Sequence, residues 1–271
     1  MNECILREYR KDDIPALSDL WARVFGDSRE LIETFFRLLP EMGSGVAAVQ
    51  DGRVVGGAYA ITGLSLTGKD GLCLPCGYLY AVAVEPTCRG KGLGAALSRA
   101  AFALGRERGA QILCTQPAEE SLFAWYKRIL DVDCVLRRRE EVIPAGEAGL
   151  WQPLSPAEYG ARREALLNGQ DHLTLSPAAL SFQQALCRTY GGDFLAAGRA
   201  VAAAYRDGGA AVIRELLVFP EEDRPAAAAS LAARMGAREA LLCTPDARGV
   251  PYLAAPAGSL PADCVWNLSF D

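Results

Sequence analysis

Apolar residues recur every three or four positions near the start of the chain. Ile14, Leu17, Leu20, Trp21 and Phe25 fall on one helical face. Asp12 or Asp13 can cap this helix, Pro15 suits its first turn, and Gly26 suits its end. Leu31, Ile32, Phe35 and Phe36 make a second stripe, so another helix is predicted from Ser28. The pattern then turns strand-like: residues 46–49 read as a strand, Asp51-Gly52 as a turn, and residues 54–66 as a long second strand. GYLYAVAV, residues 77–84, is a continuous apolar run of the kind a central buried strand has. EPTCRGKGLG follows as a loop. Residues 95–108 have helical spacing, with Leu97, Ala101 and Leu104 inward and Gly109 as the stop. Residues 111–114 read as a short strand and residues 121–130 as an amphipathic helix. Strand, loop, helix, strand is the order of a βαβ-type unit.

Beyond residue 145, PAGEAGLWQPLSPAEYG is rich in Pro and Gly and reads as a linker. The tail VIRELLVFPEEDRPAAAASLAARMGAREALLCTPDA then echoes AVAVEPTCRGKGLGAALSRAAFALGRERGAQILCTQPA. Val218 matches Val84, Pro220 matches Pro86, and LLCTPDA matches ILCTQPA. Two domains of one architecture are therefore expected, residues 1–145 and 146–271. The second copy has FPEEDRPAA where the first has EPTCRGKGLG, so it lacks the glycines and the basic character.

Composition narrows the chemistry. A chain of 271 residues, 51% hydrophobic and 23% charged, can bury a real core. The net charge of −5 argues against nucleic acid or an anionic membrane as the main partner and suits a cationic substrate such as an amine. The charged N-terminus MNECILREYRKDDI has no signal-peptide core, and no apolar stretch is long enough to span a bilayer. The nine cysteines are odd in number, and Cys88, Cys114, Cys187 and Cys243 sit in apolar runs, so reduced core thiols in a cytoplasmic protein are expected. Cys73 and Cys76 have no second pair to complete a metal site and read as ordinary residues leading into a strand; no metal is expected. The lone histidine, His172, removes Ser–His–Asp triads and multi-histidine metal sites and is expected on the surface or in a loop.

The segment Arg89-Gly90-Lys91-Gly92-Leu93-Gly94 lies between a predicted strand and a predicted helix. Amides at a helix start are unpaired and partly positive, so they hold phosphates well. Gly92 and Gly94 remove side chains that would block a pyrophosphate, and Arg89 and Lys91 add charge. A Walker A loop would need G-x-x-x-x-G-K-[ST], which is absent. Gly90-x-Gly92-x-x-Ala95 matches a relaxed dinucleotide fingerprint, but Thr115-Gln116 stand where that reading needs a ribose-binding carboxylate.

Arg-x-x-Gly-x-Gly after a strand ending Val-Ala-Val resembles the pyrophosphate loop of the Gcn5-related N-acetyltransferases (GNAT). The element order of residues 1–135 is similar to that family's, and PAEESLFAWYKRI resembles its last motif. The linked second copy, FGDS after the first helix and PAEESLF further resemble bacterial enhanced-intracellular-survival-like (Eis-like) tandem acetyltransferases. The resemblance implies an α/β (α+β) fold with a mixed central sheet flanked by helices, and a second, degenerate GNAT-like domain. It implies acetyl-CoA as co-substrate, with Val82, Ala83 and Val84 pairing with the pantetheine arm. Gly90, Lys91, Gly92, Leu93, Gly94 and Ala95 would hold the pyrophosphate beside Arg89, and Ser121 would touch the cofactor. Tyr126 matches the family's general acid, and a backbone N–H near Ala83 would face the oxyanion. For the base, the central strand offers Tyr78 and Tyr80 but no acid. Glu120 beside Glu119, the terminal carboxylates of Asp271, and a water relay remain open. The expected activity is transfer of an acetyl group to a small-molecule amine, or to a protein lysine. The alternative is a catalytically silent acyl-CoA-binding sensor or scaffold.

Overall fold

The computed structural model of the chain describes residues 4–268 and 270. In chain order its first elements are β1 (Cys4–Glu8), α1 (Ile14–Phe25), α2 (Arg29–Met42), β2 (Gly43–Gln50), β3 (Arg53–Thr67), β4 (Cys73–Val84), α3 (Leu93–Glu107), β5 (Ile112–Thr115) and α4 (Ser121–Leu130). There follow β6 (Asp133–Pro144), β7 (Gln152–Pro153), α5 (Pro156–Leu167), β8 (His172–Leu175), α6 (Pro177–Thr189), β9 (Asp193–Ala197), β10 (Ala200–Asp207), β11 (Ala210–Leu217), α7 (Arg224–Arg234), β12 (Glu239–Pro245) and β13 (Val250–Ala255). Contacts divide the chain into two compact units. One contains the chain up to Leu66, Cys73–Val135 and Tyr252–Leu260; the other contains Thr67–Leu72, Leu136–Pro251 and the chain from Pro261.

In the first unit, α1 ends at Gly26 with φ 78°, a left-handed position that glycine takes without strain. α2 starts where the Ser28 side chain accepts from the Leu31 amide. β1, β2 and β3 pair antiparallel in sequence, the β2–β3 turn placing Asp51 and Gly52 at φ 52° and 73°. β4 lies beside β3 and pairs parallel with β5, so the sheet is mixed. β5 in turn pairs antiparallel with β13, Ala254 facing Thr115. Leu97, Ala101 and Phe102 of α3 pack on Ala48, Ala58 and Leu79 of one sheet face. On the other side Trp21 and Phe35 cluster with Tyr59 and Tyr80, the Trp21–Phe35 ring centroids 4.7 Å apart. Helices thus flank a mixed sheet, as expected.

The second unit orders its strands β6-β12-β11-β10-β9-β7. β11 and β12 are parallel; the other pairs are antiparallel. Leu231 and Ala232 of α7 pack on Ala202, Ile213 and Leu242. Apart from β8, which falls between α5 and α6, two helices, three strands, a helix and a strand follow in the order seen from α1 to β5 of the first unit.

Several sequence expectations change here. The segment read as a linker contains Trp151, only 2% exposed, whose Nε1 donates to Ser230 Oγ at 3.2 Å. The helix α5 opens inside it with a reciprocal Ser155–Glu158 capping box. His172 is 3% exposed on β8, not a surface residue: Nε2 lies 2.9 Å from Glu164 Oε2 and Nδ1 2.7 Å from the Gln170 carbonyl. Burial overrode the polarity because the fold supplied both ring nitrogens with partners. Cys88 is only half-buried, whereas Cys114, Cys187 and Cys243 are buried; the nine cysteines are all free thiols.

Candidate functional site

The site begins where β4 and β5 part. Their ladder runs from Cys76–Ile112 to Leu79–Thr115, and β5 ends there while β4 continues to Val84. Thr115 Oγ1 donates to the Leu79 carbonyl at 3.3 Å, closing the last rung. Two residues later Ala81 takes a left-handed φ of 48°. For a residue with a side chain this costs roughly 1–2 kcal/mol, which the surrounding strand must hold in place. The backbone edge beyond Leu79 therefore runs on without a β5 partner, with Ala83 turned into the core and Val82 and Val84 half-buried beside the opening.

The loop after β4 turns through bonds from the Cys88 amide to the Glu85 carbonyl (2.8 Å) and from the Arg89 amide to the Pro86 carbonyl (3.3 Å). Gly90 and Gly92 follow at φ 77° and 80°. Gly92 immediately precedes α3, and no side chain caps that helix. The amides of Leu93, Gly94 and Ala95 thus have no partner from the helix itself and carry its positive end. A Cβ placed on Gly90 or Gly92 would meet nothing within 4 Å, and one on Gly94 only Val84 at 3.9 Å. The glycines face open space of the kind a pyrophosphate needs. Arg89 Nε donates to the Val84 carbonyl at 3.1 Å, which holds its guanidinium at the loop.

The far wall comes from α4. Tyr126 is 8% exposed and packs edge-on against Trp125, ring centroids 4.8 Å apart. Burial pushes its phenol above the ordinary tyrosine range, and a hydrogen bond with Thr115 offsets part of that. The group is a phenol, not a phenolate, through neutral pH.

A cleft of about 550 Å³ brings these pieces together. Val82, Val84, Arg89, Gly90, Gly92, Leu93, Gly94, Ala95 and Tyr126 all line it. Ala83 does not. Lys91 lines a separate hollow beside Cys88, and Ser121 and Glu120 are exposed outside both. The Ser121 hydroxyl donates to Glu119 at 3.3 Å, and Glu85 is held by Arg23 at 2.8 Å. Asp271 lies outside the described residues. Val24, Leu122 and Trp125 complete the wall and were not singled out in sequence. Leu122 and Trp125 share the helical face of Tyr126, so periodicity could have found them; nothing local marks Val24. Among the described residues no cluster of His, Cys, Asp and Glu could hold a metal, and no helix is long and apolar enough to cross a membrane.

Residues 6–129 match the model of the acetyltransferase (GNAT) domain. No curated protein sequence matches the chain. A GCN5-related N-acetyltransferase from Kribbella flavida superposes with a TM-score of 0.70 at 15% identity, over 94% of this chain and 71% of that one. A putative acetyltransferase from Pyrococcus horikoshii gives 0.64 at 14% identity, over 98% and 95%. Eis1 from Mycobacterium abscessus gives 0.61 at 15% identity, over 92% and 66%. At these identities the likeness is one of fold.

Proposed function

We propose, from the match of residues 6–129 to the GNAT acetyltransferase domain, that the chain moves an acetyl group from acetyl-CoA directly to a primary amine in a ternary complex. The observation that carries this is the meeting, in one cleft, of the uncapped start of α3 behind Gly90 and Gly92 with the buried phenol of Tyr126. The open space over the three glycines fits a pyrophosphate, and the free edge of β4 fits an arm that bonds like an added strand.

In this reading the amides of Leu93, Gly94 and Ala95 bind the pyrophosphate and Arg89 adds charge. Val82 and Val84 flank the pantetheine arm. The backbone turned by Ala81 presents an N–H near Ala83 to the oxyanion that forms when the amine attacks the thioester carbonyl. Tyr126, which burial keeps protonated, gives its proton to the departing sulfur. Among the described residues lining the cleft there is no carboxylate. The amine reacts as its neutral form; the proton that nitrogen loses on forming the amide passes through water, with Glu120 as the proposed protein acceptor, and the Tyr126 phenolate regains its proton from water. The acceptor is a small amine, with a protein lysine as the other class. The second unit, which repeats the element order but carries Glu221, Glu222 and Asp223 ahead of α7, is a degenerate GNAT-like copy that does not hold coenzyme A.

Isothermal titration with acetyl-CoA, paired with release of the CoA thiol over an amine panel, tests both halves. Micromolar binding with thiol release supports the enzyme. No carboxylate among the described residues lines the cleft, which favours as second reading an acyl-CoA-binding sensor without turnover; binding with no release from any amine would select it.

A further inference from the structure

Beside the cofactor cleft the first unit has a second hollow, of about 420 Å³, whose thiols the proposed reaction does not use. Cys4 opens into it from β1, and Cys88 from the turn that begins the pyrophosphate loop. The sheet and the loop bring them together around Gln50. Cys4 faces Gln50 on the β1–β2 ladder, so their Cβ atoms stand about 5 Å apart on the same face. From the other side the Cys88 thiol donates to the Gln50 side-chain carbonyl, Sγ lying 4.0 Å from Oε1. Both thiols are half-buried and neither is in a disulfide. Burial raises the Cys4 pKa, and the charge of a Cys88 thiolate raises it further, an effect that requires the two sulfurs to be near each other.

The hollow shares a wall with the cofactor cleft, because Gly92 and Leu93 line both. The Cys88 amide is bonded to the Glu85 carbonyl at 2.8 Å, and Arg89 beside it holds the Val84 carbonyl at 3.1 Å. A pull on Cys88 toward β1 is therefore passed to the neighbouring Gly90 and Gly92. Lys91 places a cation at the same opening, which attracts an anionic reagent. The Cys73–Cys76 pair does not compete. Cys73 is exposed, but Cys76 is buried in β4 and burial pushes its thiol up to about 12, so it offers little of the reactive thiolate.

We propose that Cys4 and Cys88 are a modification site, which a small anionic disulfide of the glutathione disulfide class oxidises to an intramolecular disulfide that distorts the pyrophosphate loop and weakens acetyl-CoA binding. The coupling to acetyl-CoA rests on the function proposed above; the disulfide itself does not. The Cys88 sulfur attacks one sulfur of the reagent and expels a thiolate, which takes up the Cys88 proton. The Cys4 sulfur then attacks the Cys88 sulfur and expels the second thiolate, which takes up the Cys4 proton. Two protein thiols are oxidised, and one reagent disulfide is reduced to two thiols. By reciprocity, bound acetyl-CoA favours the dithiol by the same factor that the disulfide costs its affinity.

The test is incubation of the full chain with glutathione disulfide, alkylation of the remaining thiols, and non-reducing peptide mapping by mass spectrometry. The expected product is a linked Cys4–Cys88 peptide that dithiothreitol reverses. Cys4→Ser should stop at a glutathione adduct on Cys88. Isothermal titration should show acetyl-CoA binding about tenfold weaker to the oxidised protein than to the reduced one, while Cys88→Ser treated alike keeps the reduced affinity. The proposal is overturned if Cys4 and Cys88 appear only unmodified or as separate adducts, or if the disulfide forms and acetyl-CoA binds equally well. If the reduced protein does not bind acetyl-CoA, the functional reading falls, and the linked peptide decides for or against the thiol pair. Should a variant fail to fold by circular dichroism, the map and the titration of the unaltered protein decide.

Discussion

Thr115 donates its hydroxyl to the carbonyl of Leu79 at the last rung shared by β4 and β5, and the same side chain bonds Tyr126. One buried hydroxyl therefore ties the point where the strands part to the proposed acid. Thr115→Val keeps the shape and removes both bonds. A stability loss of about 1–3 kcal/mol is expected, measured by urea unfolding, because the Leu79 carbonyl is left without its partner. Thr115→Ser should recover most of it.

Tyr126→Phe preserves the cleft wall but removes the proton. CoA release with a reactive amine should fall about 100-fold, while acetyl-CoA affinity by titration stays within about twofold. Because burial holds the phenol above its ordinary range, no alkaline loss of rate from Tyr126 should appear at pH 9. The rate should instead rise with pH over that range as the neutral amine accumulates.

Gly92 and Gly94 separate strain from electrostatics. Gly92 sits at φ 80°, so Gly92→Ala should cost roughly 1–2 kcal/mol in unfolding free energy. Gly94 is under no such constraint, and its Cβ would rest at ordinary contact distance from Val84. Gly94→Glu should therefore melt near the parent temperature while losing acetyl-CoA binding about 100-fold, by steric exclusion and charge repulsion.

His172 supplies a pH test in the second unit. Burial alone would lower its pKa, but the bond to Glu164 and that to the Gln170 carbonyl outweigh it, and the net shift is upward. A raised pKa means the folded state binds the proton more tightly, so the stabilisation is full below the ordinary histidine value and fades as pH rises through the folded one. Glu164 is shifted down: burial opposes this, but the His172 bond and the Arg163 charge prevail, so its contribution is lost as pH falls through its folded value. The pair should stabilise most between these limits. Urea unfolding of His172→Asn should show a flatter pH dependence above pH 6 than the parent.

Glu215 accepts from Tyr159 at 2.6 Å and from Arg163 Nε at 2.8 Å, all three fully buried. Glu215→Ala leaves the guanidinium only Glu164 and the Leu173 carbonyl and should cost about 3 kcal/mol by urea unfolding. Tyr159→Phe, which leaves the ion pair whole, should cost about 1 kcal/mol.

The sequence by itself determined the local elements of the first unit and the chemistry of its loop. Helix stripes such as Leu17–Leu20–Trp21, the Asp51-Gly52 turn and the glycines after Val84 are set by neighbours within a few residues, and periodicity and backbone freedom report them directly. The echo of ILCTQPA in LLCTPDA falls on β5 and β12, the strands that follow α3 and α7. Only the tertiary structure decided which parts meet. Ala81 turns left-handed, and Thr115 ends a ladder, because strands distant in sequence are held side by side. Val24 reaches the cleft wall though nothing around it in the chain marks it. Residues 252–260 count with the first unit, where Ala254 of β13 pairs with Thr115 of β5, a pairing of the kind that no local pattern encodes. His172 and Trp151 look like loop residues by their neighbours but are buried, since burial is set by what the rest of the fold brings over them. Propensity acts over a turn or a strand, whereas the cleft is made by a ladder ending, and where a ladder ends depends on every strand in the sheet.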